Sequence, residues 1–168
     1  GGSNSYYRAD TINNGTIRSD YNGYFFQFDS CTITNNSMIT SANSSTMILT
    51  DITLNQSPTG ELQAYDNGLV RLAGGAVING GVLSTATGGT IGSTGQIVNT
   101  ISDLTNTGTV RAGDGATLAV TGDNLINDGV IQIHYGGMYG GGFLRIDDNV
   151  TINGNGEVQV ETGQISSA

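Results

Sequence analysis

The sequence predicts an all-β protein folded as a right-handed parallel β-helix, a β-solenoid of about seven coils of 21–27 residues. Two observations predict this class. A short motif returns along the whole chain: an apolar residue, a turn with Gly and usually Asn, then another apolar residue. Between its copies, apolar and polar residues alternate as they do in a strand with one buried face. A repeat of about 20–50 residues is typical of solenoids, and crossovers between parallel strands are right-handed by strong preference.

The turn residue of each motif serves as an index for the repeat. The index positions are Gly15, Ser37, Gly60, Gly81, Gly108, Gly129 and Gly156. An apolar side chain, expected to face the core, stands two residues after every index: Ile17, Ile39, Leu62, Leu83, Val110, Ile131 and Val158. We expect the index to need a positive φ, which Gly adopts without strain. We also expect the turn asparagines to stack into an amide ladder, because each amide both donates and accepts hydrogen bonds.

Two further apolar sites complete each coil. The first is a pair of apolar residues written with period two: Phe26/Phe28, Met47/Leu49, Val70/Leu72, Leu118/Val120 and Leu144/Ile146. The second precedes the next turn: Ile33, Leu54, Val77, Leu104, Leu125 and Ile152. Gly and Asn interrupt every longer window, which disfavours helix. Three short strands per coil are therefore predicted.

Two coils are longer than the rest, and insertions in repeats map to loops. The first predicted loop is 84–100, and the second is 131–143. The second carries rings on a glycine frame and is the predicted interaction loop, with these residues: His134, Tyr135, Met138, Tyr139 and Phe143. Such rings stack on sugars or make protein contacts. The alternative is a corner that packs on its own coil.

The continuous repeat predicts one domain over 1–168, with coils over 12–165. Residues 1–11 would form an N-terminal cap or a joint, with Tyr6 and Tyr7 as end contacts. The C-terminal stretch shows no cap pattern, and an uncovered last coil invites edge association. Either the repeat continues in a longer protein, or subunits stack end to end.

The net charge of the chain restricts the classes of partner that it is expected to bind. The net charge is −9, from five Arg, no Lys and fourteen acidic residues. Nucleic acid and anionic membrane surfaces are poor partners for such a surface. The sequence contains no apolar run long enough to predict membrane insertion. The single Cys31 allows no internal disulfide, and its apolar neighbours predict a buried, inert thiol.

The residues for catalysis are sparse, so the prediction is a protein that is not an enzyme and uses no cofactor. There is one His, and the chain has neither a Gly-x-Ser-x-Gly elbow nor a Walker lysine. One Cys and one His make a zinc-type site untenable. Asp147 and Asp148 are the weak candidates for calcium. The slot after the index lacks the Thr row of an ice-binding face.

With this register, the chain resembles the passenger β-helices of autotransporters and haemagglutinin-like secreted adhesins. The resemblance is carried by the Asn-x-Gly-x-(Val/Ile) unit and by the segment GATLAVTG at 115–122. It implies an extracellular or cell-surface location and a rigid adhesive or surface-display scaffold that binds host-surface glycan or protein. One alternative is a structural subunit that self-associates through coil ends into a filament. Another is a carbohydrate-binding or carbohydrate-degrading β-helix.

Overall fold

A computed structural model describes residues 4–113, 115–134, 140–147, 149–161 and 164–167 of the chain. All regular structure in these ranges is β-strand, and no helix occurs within them. The strands form three sheets, and every pairing between neighbouring strands is parallel.

The three sheets are named A, B and C in the order in which the chain first enters them. Sheet A contains β1 (Ser5–Tyr7), β4 (Phe25–Asp29), β7 (Thr46–Thr50), β10 (Leu69–Ala73), β13 (Thr90–Ser93), β16 (Thr109–Ala112), β19 (Val130–Ile133) and β22 (Glu157–Val160). Sheet B contains β2 (Thr11–Asn13), β5 (Thr32–Asn35), β8 (Thr53–Gln56), β11 (Val77–Asn79), β14 (Val98–Ser102), β17 (Thr117–Thr121), β20 (Phe143–Ile146) and β23 (Gln164–Ser167). Sheet C contains β3 (Thr16–Ser19), β6 (Met38–Ser41), β9 (Glu61–Ala64), β12 (Val82–Thr85), β15 (Thr105–Asn106), β18 (Asn124–Asn127) and β21 (Thr151–Asn153).

The chain visits the three sheets in strict rotation. Each strand pairs with the strand three places before it and the strand three places after it, so every round of the chain is one coil stacked on the last. This confirms the predicted parallel β-helix with three strands per coil, and the number of coils is close to seven. The right-handed sense of the coil stays a prediction.

One core runs through the stack, because inward residues of successive coils lie on top of one another. In sheet B the inward row is Ile33, Leu54, Ile78, Ile101 and Val120, all fully buried. Burying a side chain of this size stabilises a fold by roughly 1.5–3 kcal/mol. The row corrects one sequence prediction: Val77 faces outward, and Ile78 occupies its core position.

The repeated turn does not stay at one corner of the solenoid. The apolar residues Ile17, Ile39, Leu62 and Leu83 lie in sheet C, whereas Val110, Ile131 and Val158 lie in sheet A. The motif therefore moves on by one strand between the two groups. We call this move the corner change.

The corner change explains the 27-residue step between the index glycines Gly81 and Gly108. Counted by strand pairing, Leu83 lies opposite Asn106, and Ile91 lies opposite Val110, which are steps of 106 − 83 = 23 and 110 − 91 = 19 residues. No coil is long at this point. The prediction of a loop over 84–100 is wrong, because that segment holds β13 and the start of β14.

The second long coil is a genuine insertion. Ile131 pairs with Val158, a step of 158 − 131 = 27 residues. The extra residues lie between β19 and β20, and the Gly142 amide donates a 3.0 Å hydrogen bond to the His134 carbonyl at the base of the connection. The prediction of an insertion within 131–143 is confirmed to this extent.

The index residues are mostly glycine for a steric reason. Among the index residues, Gly81 has a positive φ, 67°, and the others do not. The prediction that the index needs a positive φ is therefore wrong at the other index positions. Instead, a Cβ on Gly108 would lie 2.2 Å from the Thr85 amide nitrogen in the previous coil, and one on Gly129 would lie 2.1 Å from the Gly108 carbonyl oxygen. At Gly15, in the first coil, an added Cβ meets nothing within 4 Å.

The predicted amide ladders are present, one on each side of the corner change. In the first ladder, Asn13 donates to Asn35 (2.7 Å) and Asn35 donates to Gln56 (3.0 Å). In the second ladder, Asn106 donates to Asn127 (2.8 Å). The side-chain oxygen of Asn106, Oδ1, also accepts a hydrogen bond from the Gly108 amide (3.2 Å). One side chain therefore closes its own turn and links that turn to the next coil.

Candidate functional site

Two residues of the predicted interaction loop, His134 and Phe143, lie in the described part of the chain. Tyr135, Met138 and Tyr139 lie outside the described residues. His134 follows β19 at the outer face of sheet A. Phe143 begins β20 and is 39% exposed on sheet B. The two described members of the loop therefore lie on different faces.

His134 closes a line of polar contacts on sheet A. Arg111 Nε donates to Gln132 Oε1 (2.8 Å), and Gln132 Nε2 donates to Glu161 Oε1 (2.9 Å). The other oxygen of Glu161 shares a hydrogen bond with His134 Nδ1. Each of these four groups thus has a protein partner, and the line braces the outer surface of three successive coils.

A shallow groove lies beside this line. It has a volume of about 260 Å³. We call it the His134 groove, and its lining includes Leu69, Gly92, Thr94, Arg111, Gly113 and His134. The glycine in the middle of β13 leaves room on the outer face, since a Cβ there would only touch Leu69 at 4.0 Å. The groove is open, and Arg111 and His134 in its lining are hydrogen-bonded to Gln132 and Glu161 respectively.

Of the acidic pair predicted for calcium, one member lies in the described part of the chain. Asp147 is held by Arg145, with Nε to Oδ1 at 2.7 Å and Nη2 to Oδ2 at 3.2 Å. Asp148 lies outside the described residues. Within the described ranges, no three His, Cys, Asp or Glu side chains come together as a metal-binding group.

The predicted end contacts lie on β1, the first strand of sheet A. Tyr6 packs edge-on against Phe25 with ring centroids 5.5 Å apart, and Tyr7 packs against Phe28 at 5.6 Å. Phe28 is a buried core residue, so Tyr7 covers the top of the core. Tyr6 keeps 61% of its surface exposed.

The thiol predicted to be inert is buried. Cys31 is 8% exposed and joins the core cluster. Burial raises the pKa of the Cys31 thiol, and the nearby carboxylates of Asp10 and Asp29 raise it further against one backbone hydrogen bond. A thiol held in its protonated form is a poor nucleophile.

A second groove, which the sequence reading did not single out, crosses the outer face of sheet C. It has a volume of about 320 Å³. We call it the Tyr65 groove, and its lining includes Thr16, Arg18, Met38, Thr40, Gln63 and Tyr65. The Arg18 guanidinium carbon lies 5.6 Å from the centre of the Tyr65 ring, and Arg18 Nε lies 3.2 Å from Asp20.

Thr40 is the unusual residue of the Tyr65 groove. It is 1% exposed, and its hydroxyl has no hydrogen-bond partner among the described residues. Its neighbours in the sheet are Arg18 on one side and Gln63 on the other. Gln63 donates to Glu61 (3.2 Å). Buried hydroxyls are nearly always paired, so this one stands out in the fold.

The sequence did contain a signal for both grooves. The slot three residues after the index holds Arg18, Thr40 and Gln63 on sheet C, and Arg111 on sheet A. The slot five residues after the index holds Tyr65 and His134. Both slots alternate with the core row and therefore face outward. Inspection of these slots, besides the one next to the index, would have marked both grooves.

Comparison of the chain with family models, with curated proteins and with solved structures found no significant match. The similarity to adhesin passengers therefore holds at the level of a β-solenoid. In the described part of the chain, there is no helix with the length and apolar character needed to cross a membrane.

Proposed function

We propose that this chain is a non-catalytic, extracellular β-solenoid that holds an adhesive surface in fixed geometry, in the manner of an autotransporter or haemagglutinin-like passenger. The observation that carries the proposal is the fit of one coil on the next. An added Cβ at Gly108, Gly129 or Gly156 would lie 2.1–2.2 Å from backbone of a neighbouring coil. Coils that approach so closely cannot slide or tilt without clashes.

The amide ladders support the same conclusion. Asn106 is fully buried, and its side chain bonds Asn127, the Gly108 amide and the Val130 carbonyl (3.5 Å) in the next coil. Asn99 is also fully buried and accepts the Ala76 amide (2.9 Å) while donating to Ser93 (2.9 Å). Paired polar groups in a core favour one arrangement over its alternatives. Such a rod suits the presentation of a surface.

The outer faces supply a surface for contact. On sheet B the outward positions carry mostly short polar side chains: Thr32, Thr34, Thr53, Asn55, Asn79, Thr100, Ser102 and Thr121. Successive strands place them about 4.8 Å apart. Short side chains lose little conformational entropy on binding. The flat faces and the two grooves together support an adhesive role.

The test is retention of protein-coated beads on surfaces that carry glycans or glycoproteins, measured against buffer flow. We expect beads coated with the wild-type chain to stay on the surface at a buffer flow that removes beads coated with serum albumin. A matched control is the chain unfolded by Val110→Asp, since it has the same composition without the faces. Retention no better than that of this control would contradict the proposal.

A second candidate function, self-association through coil ends, is favoured by one observation. Ile152, Val158 and Val160 occupy slots whose neighbours in the previous coil are buried, yet they are 37%, 41% and 46% exposed. Exposed apolar side chains in such slots are suited to contact with a further coil, which a second copy of the chain could supply.

Negative-stain electron microscopy over a concentration series tests this second candidate. Filaments that lengthen with concentration, and that vanish in a Val158→Asp variant, would support end-to-end stacking. Tyr6→Ser is a further variant at the opposite end, where the exposed ring would form the other half of the joint. Uniform short particles at every concentration would contradict it.

A further inference from the structure

We propose that the Tyr65 groove is a binding site for an uncharged pyranose sugar. The inference rests on the proposed adhesive function, because it names the ligand class that one face of the scaffold would hold. It depends on three features of the groove: an unpaired hydroxyl in its floor, an aromatic ring with an arginine at its wall, and a surround of negative charge.

The unpaired hydroxyl belongs to Thr40. Ile39, the preceding residue, is fully buried in the core, so the alternation of the strand turns Thr40 to the outer face. Thr40 there lines the groove, and its hydroxyl oxygen is buried and has no partner among the described residues. A hydroxyl can donate one hydrogen bond and accept others, which matches the hydroxyls of a sugar.

The wall of the groove is suited to the other surface of a sugar ring. Tyr65 is half-buried, and it presents an apolar ring with a polar tip, the combination on which the C–H face of a pyranose packs. Arg18 lies over the same ring at 5.6 Å and is paired with Asp20 through Nε. A paired guanidinium and carboxylate offer adjacent donors and acceptors, as two neighbouring sugar hydroxyls require.

The charge around the groove selects an uncharged ligand. Asp20 pairs with Arg18, Asp66 follows Tyr65, and Glu61 contacts both Gln63 and Ser84 at the edge of the groove. The carboxylates of Asp20 and Glu61 thus contact residues that line the groove, and the chain as a whole has a net charge of −9. A uronate or a phosphorylated sugar would be repelled from such a site.

The test uses Thr40→Val, which replaces the hydroxyl by a methyl group of nearly the same shape. Removing an unpaired buried hydroxyl does not destabilise a fold, so we expect Tm to stay the same or rise. We expect affinity for the sugar to fall by about fivefold to tenfold, the value of one hydrogen bond. Thr53→Val, at an outward position of sheet B, is the matched control and should change neither quantity.

The probes are the neutral β-1,4-linked trisaccharide of glucose and the neutral α-1,4-linked trisaccharide of galactose, with α-1,4-linked trigalacturonate as the charged counterpart of the second. Binding is followed by amide chemical shifts in NMR titrations, which report the site as well as the affinity. We expect shifts at Thr40, Gln63 and Tyr65 with a neutral probe, weaker binding of trigalacturonate, and loss of binding in Tyr65→Ala.

Three results would overturn the proposal: no shifts at the groove with either neutral probe, equal affinity in Thr40→Val, or a fall in Tm for that variant, since the hydroxyl would then have a partner in the free protein. The bead assay separates this failure from failure of the adhesive function. Retained beads with an empty groove leave the adhesive role intact with another ligand. Loss of both retention and sugar binding would overturn both.

Discussion

The Tyr65 groove and the His134 groove use the same slots of the repeat on different faces of the solenoid. Each has an arginine three residues after an index, Arg18 or Arg111, and a ring five residues after a later index. In the His134 groove, Arg111 and His134 are joined through Gln132 and Glu161. In the Tyr65 groove, Thr40 stands between Arg18 and Gln63, and its hydroxyl has no partner in the described part of the chain.

The difference shows that one set of repeat positions can serve two roles on two faces of the solenoid. One groove closes on itself, since its polar groups satisfy one another and brace the coils. The other groove holds a buried hydroxyl that has no partner among the described residues, and it is the groove for which we propose a sugar ligand. The two grooves lie on separate sheets because of the corner change between Gly81 and Gly108.

The largest effect is expected for a charge in the core of the second group of coils. Val110 is fully buried in sheet A, so Val110→Asp should destabilise the fold by about 4 kcal/mol or more, because a buried unpaired charge is costly. Val158 occupies the same slot but is 41% exposed, so Val158→Asp should cost far less. Urea denaturation followed by circular dichroism measures both. Similar midpoints for the two variants would break the assignment of Val110 to the core.

The next effect compares two index glycines. Gly108→Ala places a Cβ 2.2 Å from the Thr85 nitrogen, and we expect a loss of about 1–3 kcal/mol, as for other overpacked sites. Gly15→Ala meets open space at an ordinary φ, so it should be neutral or stabilise by about 0.4–1 kcal/mol through the unfolded chain. Thr109→Val, next to Gly108 but facing outward, should change little. Equal losses at Gly15 and Gly108 would show that conformation, not coil contact, selects glycine.

The amide ladders allow a smaller comparison. Asn106→Ala removes the partner of Asn127 and of the Gly108 amide inside the stack, so a loss of about 1–3 kcal/mol is expected. Asn79 makes a similar 2.9 Å bond to Asn55 at the surface, and Asn79→Ala should cost less than about 0.5 kcal/mol. Hydrogen exchange of the Gly108 amide gives a second, local measurement. A cost at Asn79 as large as that at Asn106 would contradict the importance of burial.

The smallest effect concerns Asp103, just before β15 and close to the corner change. Hydrogen bonds from the Asp123 amide (2.7 Å) and the Asn124 amide (3.1 Å), and one from the Ser102 hydroxyl (2.9 Å), lower the pKa of the Asp103 carboxyl. Because the pKa of Asp103 is lower in the folded chain than in the unfolded chain, its carboxylate stabilises the fold. This contribution to the free energy of unfolding is complete above the pKa of the unfolded chain, about 3.9, and is lost as the pH falls from there through the pKa of the folded chain. Asp103→Asn should flatten this part of the stability curve. If stability in Asp103→Asn fell with pH in the acid range as it does in the wild type, Asp103 would not stabilise this part of the fold.

Much of the fold could be predicted from local pattern. The alternation of Met47 and Leu49, or of Val70 and Leu72, indicated strands with one buried face, and all four side chains are fully buried. The Asn-x-Gly turns indicated where strands end and where amides stack. These features follow from a period of two and from turn chemistry, which act within a few residues.

The candidate site was less accessible to the same reasoning. Thr40 lies among ordinary polar residues in the sequence, and its missing partner is visible only when the strands on both sides are in place. The predicted loop at 84–100 failed for a related reason. A turn motif predicts that a corner is present, but it does not predict which of the three corners of the coil it occupies.

Local pattern was therefore sufficient to predict the class of fold, the three strands of each coil, the ladder-forming asparagines and the buried Cys31. Tertiary structure alone decided the corner change, the choice of Ile78 over Val77 for the core, the steric need for glycine at Gly108, and the isolation of the Thr40 hydroxyl. The physical reason is the range of the forces involved. Alternation and turns are set by neighbours along the chain, whereas register, close approach and hydrogen-bond satisfaction are set by the coil stacked alongside, about twenty residues away in sequence.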